Sequence, residues 1–197
     1  MKHEGVQESL QPDYFDNVYN ANDDPWNFST SNYEAEKYAA TLAALPHEKY
    51  ESAFEIGCSI GILTAQLALR CHSLLAVDVN EKALQQARER CRKLSHVRFN
   101  LMQIPKDFPS EKFDLVIVSE VGYYLSVKDW QLSQAKIVTH LNPDGIVCMV
   151  HWTHFVADYP QTGNAVHNSF AEWSKNKLQH LQTECTADYR LDVWQKR

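Results

Sequence analysis

Glu55-Ile56-Gly57-Cys58-Ser59-Ile60-Gly61 is the stretch that decides the fold. Before it, Ala53-Phe54-Glu55-Ile56 reads as a short strand; after it, Ile60 to Arg70 reads as a helix. Glycines between a strand and a helix permit a tight turn and let a ligand approach the backbone, while the helix start offers free N–H groups. A second apolar run, Leu74-Leu75-Ala76-Val77, ends at Asp78. At the end of a second strand, a carboxylate can accept hydrogen bonds from both ribose hydroxyls of a nucleoside. Strand, glycine loop, helix, strand and acid together predict a nucleoside site, against the plainer reading of a turn and a helix-capping Asp.

The same alternation continues outward. Asn80 caps a helix in which Ala83, Leu84, Ala87, Cys91 and Leu94 recur at helical spacing. Val97 to Leu101 is a third strand and Phe113 to Val118 a fourth. A helix over 127–141 ends in the turn Asn142-Pro143-Asp144-Gly145, and Ile146 to Val150 is a fifth strand. Near the C-terminus, a helix over 166–177 precedes two strands near 178–184 and 189–194, close enough to pair antiparallel at one sheet edge. Upstream, residues 1–12 are expected to fray. The aromatic-rich stretch Tyr14 to Phe28 favours turns through its Asn, Asp and Pro residues, and a helix over 32–45 is capped by Ser31 or Asn32. Continuous apolar strands alternating with amphipathic helices predict an α/β fold: Rossmann-like, doubly wound, with a mostly parallel seven-stranded sheet and an antiparallel C-terminal edge.

At 197 residues and net charge −6, the chain suits one domain and argues against polyanion binding, so no nucleic-acid partner is expected. Its one basic cluster, Arg88 to Lys93, is interrupted by Glu89 and reads as a solvated helix face. Five scattered cysteines without a C-x-x-C pair suit reduced thiols. There is no apolar run of the roughly 20 residues a bilayer requires, and Met1 to Pro12 lacks the apolar stretch of a signal peptide. A cytoplasmic protein with no membrane partner is expected.

The loop does not suit a dinucleotide. G-x-G-x-x-G is absent, and Glu55 beside the loop would repel a pyrophosphate but favour a cofactor bearing an ammonium and a sulfonium. The segment resembles the E-x-G-x-G-x-G motif of class I S-adenosylmethionine-dependent methyltransferases, with Ser59 replacing the middle glycine. The resemblance implies that Glu55, Gly57, Cys58, Ser59 and Gly61 form the loop under the cofactor's amino-acid part, and that Asp78, with Val79, holds the ribose. It also puts Gln103 and Ile104 at the adenine, where Gln103 stands in for the usual Asp, and Ser119 at the end of the fourth strand. S-adenosylhomocysteine would be the product, and no metal is implied.

Asp24-Pro25-Trp26-Asn27-Phe28, Ser31-Asn32-Tyr33-Glu34, Lys37-Tyr38 and Glu120-Val121-Gly122-Tyr123-Tyr124-Leu125 resemble the NodS family more narrowly. These enzymes N-methylate the amino sugar of nodulation oligosaccharides. The resemblance implies that residues 1–50 form a tail and helical lid, with Trp26, Tyr33 and Lys37 facing the cofactor, over a core of residues 51–197. The alternative is an aromatic segment that merely packs on the sheet edge.

His151-Trp152-Thr153-His154 and the following stretch to His167 depart from the nodulation enzyme. His151 directly follows the fifth strand, at the edge where such sheets bind ligands; a substrate-facing or base role, loop packing and a metal pair with His154 are its three readings. Glu120, His151 and Tyr124 are the candidates to assist an attacking amine. The expected activity is methylation of a small molecule, with N-methylation of an amino sugar or amine-bearing metabolite leading. The acceptor could itself be an oligosaccharide. An O-methyltransferase and a non-catalytic cofactor-binding protein are the rivals.

Overall fold

A computed structural model describes residues 7–197. Seven strands form one sheet in the order β3-β2-β1-β4-β5-β7-β6. The strands are β1 (Tyr50–Ile56), β2 (Cys71–Asp78), β3 (Val97–Leu101), β4 (Phe113–Ser119), β5 (Leu141–Trp152), β6 (Leu178–Cys185) and β7 (Tyr189–Lys196). Strands β1 to β5 pair in parallel, and β7 lies antiparallel between β5 and β6. The predicted fold class and its antiparallel edge are therefore what is found.

Among the described residues six α-helices cover the sheet: α1 (Pro12–Ala21), α2 (Asn32–Ala43), α3 (Ile62–Leu67), α4 (Glu81–Arg90), α5 (Val127–Thr139) and α6 (Gly163–Ser174). Side chains alternate across the strands. Phe54, Ile56, Val116, Val118, Val147 and Met149 pack with Trp130 of α5 and Phe170 of α6 on one face. Ala53, Leu115, Ile117, Ile146 and Cys148 pack with Tyr38 of α2 and Leu63 and Leu67 of α3 on the other. Four helices start on a side-chain cap: Ser31 accepts from Glu34 N, Asn80 from Ala83 N, Ser126 from Asp129 N and Thr162 from Ala165 N.

Three local expectations change. The aromatic stretch after residue 12 begins as helix α1, with Pro12 at its start and Phe15 and Tyr19 buried; its helical spacing of aromatics outweighs the turn residues that follow. The turn Asn142 to Gly145 lies inside β5 as an irregularity. Phe113 faces Leu141 while Leu115 faces Ile146, and Asp144 takes φ +60° to accommodate the extra residues. Of the residues expected to fray, 1–6 lie outside the described residues. Ser9 and Leu10 are fixed instead: Leu10 N donates to Tyr124 O at 2.8 Å and Ser126 N to Ser9 Oγ at 2.8 Å.

Candidate functional site

The carboxyl ends of β1 to β5 open into a cavity of about 810 Å³, roofed by α1, α2 and the segment between them. That volume lies within the range of small-molecule and cofactor sites. Gly57 leaves β1 with φ +84°, and its N–H and that of Cys58 both reach Val77 O of β2 at 2.9 and 3.0 Å. A Cβ at Gly57 would lie 2.1 Å from Val121 Cγ2 and 3.1 Å from Ser119 O, so only glycine lets the loop pass under the end of β4.

Asp78 closes the loop from the neighbouring strand. One of its carboxylate oxygens accepts from Ser59 N at 2.8 Å and the other from Asn80 N at 3.0 Å. Burial raises its carboxyl above the ordinary value, while the N–H donors of Ser59, Asn80 and Val79 pull against that rise. Each oxygen keeps a further acceptor position, and Asp78 lines the cavity. Ser59, which stands where the resembled motif has glycine, adopts φ +48°, a backbone conformation favouring glycine. Its hydroxyl sits 2.5 Å from the Tyr19 hydroxyl of α1, so the departure ties the loop to the roof.

At the other end of the cavity Glu120 follows β4 with φ +56°, an uncommon conformation for a side-chain-bearing residue. Its N–H reaches Val150 O at 3.0 Å. Lys37 Nζ donates to Oε1 at 2.6 Å and Trp152 N to Oε2 at 2.9 Å, and the Tyr123 hydroxyl also donates to Oε2. The buried Lys37 bonds Glu34 as well, at 3.0 Å, and lies 5.0 Å over the Tyr33 ring. Aromatic rings surround this cluster. Tyr33 meets Trp152 edge-on at 5.5 Å, and Tyr123 stacks on Tyr159 at 5.1 Å. The Tyr124 hydroxyl is 3.4 Å from that of Tyr159.

Of the residues singled out from sequence, Trp26, Tyr33, Lys37, Gly57, Ser59, Asp78, Val79, Gln103, Ile104, Ser119, Glu120 and Tyr124 line this one cavity. Four do not. Glu55 is buried beneath the loop with Oε2 unpartnered, and burial pushes its carboxyl up to about 7. Cys58 packs under the loop against Ala76 and Leu84. Gly61, at φ +79°, serves helix packing: a Cβ there would lie 2.9 Å from Ala87 Cα of α4. His151 is fully buried, its Nε2 accepting from Gly122 N and its Nδ1 facing His167, so it does not present a free base to the cavity. Nor does it pair with His154, which turns outward to Asp188 at 2.8 Å.

Sequence reasoning missed Phe15 and Tyr19 of α1, which line the cavity, together with Ser9, Gln11 and Tyr159. The three-residue interval from Pro12 to Phe15, and then four to Tyr19, was a helical signal for α1. The others come from irregular backbone with no periodicity to read.

A family model described as nodulation protein S (NodS) matches residues 13–154. The nodulation protein S of Bradyrhizobium diazoefficiens is 37% identical over 124 residues, which cover 62% of this chain and 59% of that protein. That of Rhizobium tropici is 31% identical over 127 residues, covering 64% and 53%. The chain thus spans little more than half the length of these curated relatives. Among solved structures, the N-methyltransferase NodS from Bradyrhizobium japonicum WM9, in complex with S-adenosyl-L-homocysteine, superposes with a TM-score of 0.82 at 24% identity, covering 93% of this chain and 97% of that one. A Pseudomonas syringae protein provisionally assigned as a methyltransferase superposes with a TM-score of 0.73 at 35% identity, covering 83% and 99%.

Proposed function

The chain belongs to the nodulation protein S family, and from that premise we propose that it is an S-adenosylmethionine-dependent methyltransferase acting on the amine of a small molecule, an amino sugar foremost. The single observation that carries the cofactor half is Asp78, held by two backbone donors at the end of β2 with acceptor positions left over on the cavity side. A nucleoside ribose offers two hydroxyl donors to such a carboxylate. The residues present fit the whole cofactor: Gly57 and Ser59 for the amino-acid part, Asp78 and Val79 for the ribose, Gln103 and Ile104 for the adenine. When bound, S-adenosylmethionine supplies a methyl group on a sulfonium, open to in-line displacement.

The chain's own task is to align the acceptor and keep water out. Helices α1 and α2 roof the cavity, with Trp26 and Tyr33 on its wall. Around the acceptor end, Glu34 and Glu120 place two carboxylates about the Lys37 ammonium, and Tyr33, Tyr123, Tyr159 and Trp152 present rings. Carboxylates and aromatic faces stabilise the positive charge that develops on nitrogen as a neutral amine takes the methyl group, and this supports nitrogen as the acceptor atom. Three donors already occupy Glu120, so it acts as a fixed anchor for the acceptor site, not as a mobile base. Tyr124, beside Tyr159, orients the acceptor by hydrogen bonding. The unpaired cysteines, four of them buried, support a reducing, cytoplasmic setting; no helix among the described residues is long and apolar enough to cross a membrane.

Calorimetry with S-adenosylhomocysteine tests the cofactor. Wild type binds, and Asp78→Ala loses about 1.5–3 kcal/mol of affinity, the range for hydrogen bonds to a charged group. Wild type that does not bind overturns the reading. Methyl transfer to a glucosamine tetramer but not to its N-acetylated form tests the amine, because acylation removes the nitrogen's nucleophilicity.

A further inference from the structure

Behind the acceptor end lie three polar side chains that methyl transfer, as described, does not use. His151 of β5, His167 of α6 and Asp192 of β7 are all fully buried. Gly122 N donates to His151 Nε2 at 2.9 Å. His151 Nδ1 lies 3.0 Å from His167 Nε2, and His167 Nδ1 lies 2.6 Å from Asp192 Oδ2. A backbone amide only donates, so His151 Nε2 carries no proton and Nδ1 must carry it. That proton points at His167 Nε2, which therefore accepts, leaving the His167 proton on Nδ1 to donate to the Asp192 carboxylate. Every bond in the chain runs one way, from Gly122 to Asp192, with both imidazoles neutral.

Both ends of the chain are built in. Asp192 also accepts from His180 Nε2 at 2.8 Å, from Arg190 Nε at 2.6 Å and from the Thr183 hydroxyl. Near the cavity, a Cβ on Gly122 would lie 2.4 Å from Val166 Cγ1 and 3.0 Å from His151 Nε2. One on Gly163 would lie 2.1 Å from Trp152 O and 3.1 Å from His151 Cβ. Glycines on two separate elements thus make room around His151, Gly122 at its ring and Gly163 at its Cβ and the Trp152 carbonyl. Gly122 opens the short turn Gly122–Tyr124, two residues after Glu120.

We propose that His151, backed by His167 and Asp192, is a positioning residue of the methyl-transfer site: in its neutral form it locks the Gly122–Tyr124 turn and so the placement of Glu120, Tyr123 and Tyr124. The role in catalysis rests on the methyltransferase reading; the chain itself does not. A second proton on His151 would set two donors, Nε2–H and Gly122 N–H, against each other, so protonation must break the link. The charged and titratable groups around it are His167 and, through it, Asp192, Arg190 and His180, with Lys37, Glu120 and the Tyr123 ring, 5.4 Å away, on the cavity side. Burial, with His167 and Lys37 adding to it, holds the His151 imidazole well below its ordinary value, which keeps the link intact.

The test is NMR of the full chain with ¹⁵N-labelled imidazoles, from about pH 8 to about pH 6, across the ordinary histidine range. His151 and His167 should stay neutral and protonated at Nδ1, with the Gly122 amide protected from exchange. His151→Leu should lose that protection and move the Tyr123 ring signals. His151→Gln, which puts an amide oxygen at the ε position, should restore both. With S-adenosylmethionine and the glucosamine tetramer, His151→Leu should lower kcat on the order of 10- to 100-fold, the scale of a small misplacement, while KM for the cofactor stays unchanged. The proposal falls if His151 titrates near its ordinary value with Gly122 undisturbed, or if His151→Leu leaves the Gly122 amide and Tyr123 as in wild type. Failure of wild type to bind S-adenosylhomocysteine would sink the methyltransferase reading alone, with the tautomers and Gly122 protection still deciding the chain.

Discussion

Strands β1, β2 and β4 bury apolar runs between helices, with Glu55 the one buried carboxyl among them that no side-chain network holds, whereas β5 and β7 bury a histidine and an aspartate joined in a side-chain network. In the first region the backbone carries the polar work: Val77 O takes two N–H groups of the loop, and Asp78 takes Ser59 N and Asn80 N. In the second, side chains satisfy one another, from His151 through His167 to Asp192. A loop held by backbone tolerates exchange of its side chains, as Ser59 in place of glycine illustrates. A buried side-chain chain does not, because each member leaves its neighbour unpaired when removed.

The sharpest way to break that contrast is to cut the chain at its charged end. Asp192→Leu removes the acceptor of the His167 Nδ1–H and of Arg190 Nε, and should lower stability by about 3–5 kcal/mol, the cost of stranding one partner of a buried pair. Urea denaturation measures it. A loss below about 1 kcal/mol would mean that the two regions are built alike. Gly61→Ala probes the other region, forcing a Cβ into φ +79° at 2.9 Å from Ala87 Cα. It should cost about 1–3 kcal/mol as the α3–α4 contact opens, and an unchanged denaturation midpoint would show that the helices give way freely.

A smaller effect separates the regions by pH. The lowered values of His151 and His167 give stability that is full above their ordinary 6.5 and lost as pH falls below it toward the folded values, at about 1.4 kcal/mol per pH unit for each. Glu55 has the opposite sign. Its folded value is raised to about 7, so its contribution is full below the ordinary 4.5 and is lost as pH rises through about 7. Between those limits the two regions oppose each other. Glu55→Gln should therefore steepen the gain in stability between pH 4.5 and 6.5, by about 1.4 kcal/mol per pH unit. Equal slopes in wild type and variant would show that Glu55 does not ionise with the raised value.

Much of the first region was legible in the residues. Leu74 to Val77 is an unbroken apolar run, Ala53 to Ile56 is apolar but for Glu55, Asn80 is a helix cap, and Asp78 has a defined place after a strand, so their roles follow from local pattern. The antiparallel edge was legible too, from two strands joined by a short connection. Less legible was which loop residues face the cavity. Gly61 and Cys58 belong to the motif, yet their neighbours Ala87 and Leu84 arrive from α4, far along the chain. α1 was hidden because Asn22-Asp23-Asp24-Pro25 signalled turns strongly just after it.

His151 marks the limit. By itself the sequence determined the doubly wound sheet, the glycine loop and the acid that closes it, because strand and helix periodicity and a two-strand spacing are local properties of the chain. It also placed a histidine just after the fifth strand, whereas that strand runs on through His151 to Trp152. Only the tertiary structure decided that this histidine turns inward, since its orientation depends on His167 and Asp192, 16 and 41 residues later, and on two glycines that leave it room. A residue whose partners come from distant elements has no periodicity of its own; packing alone assigns its protons and so its role.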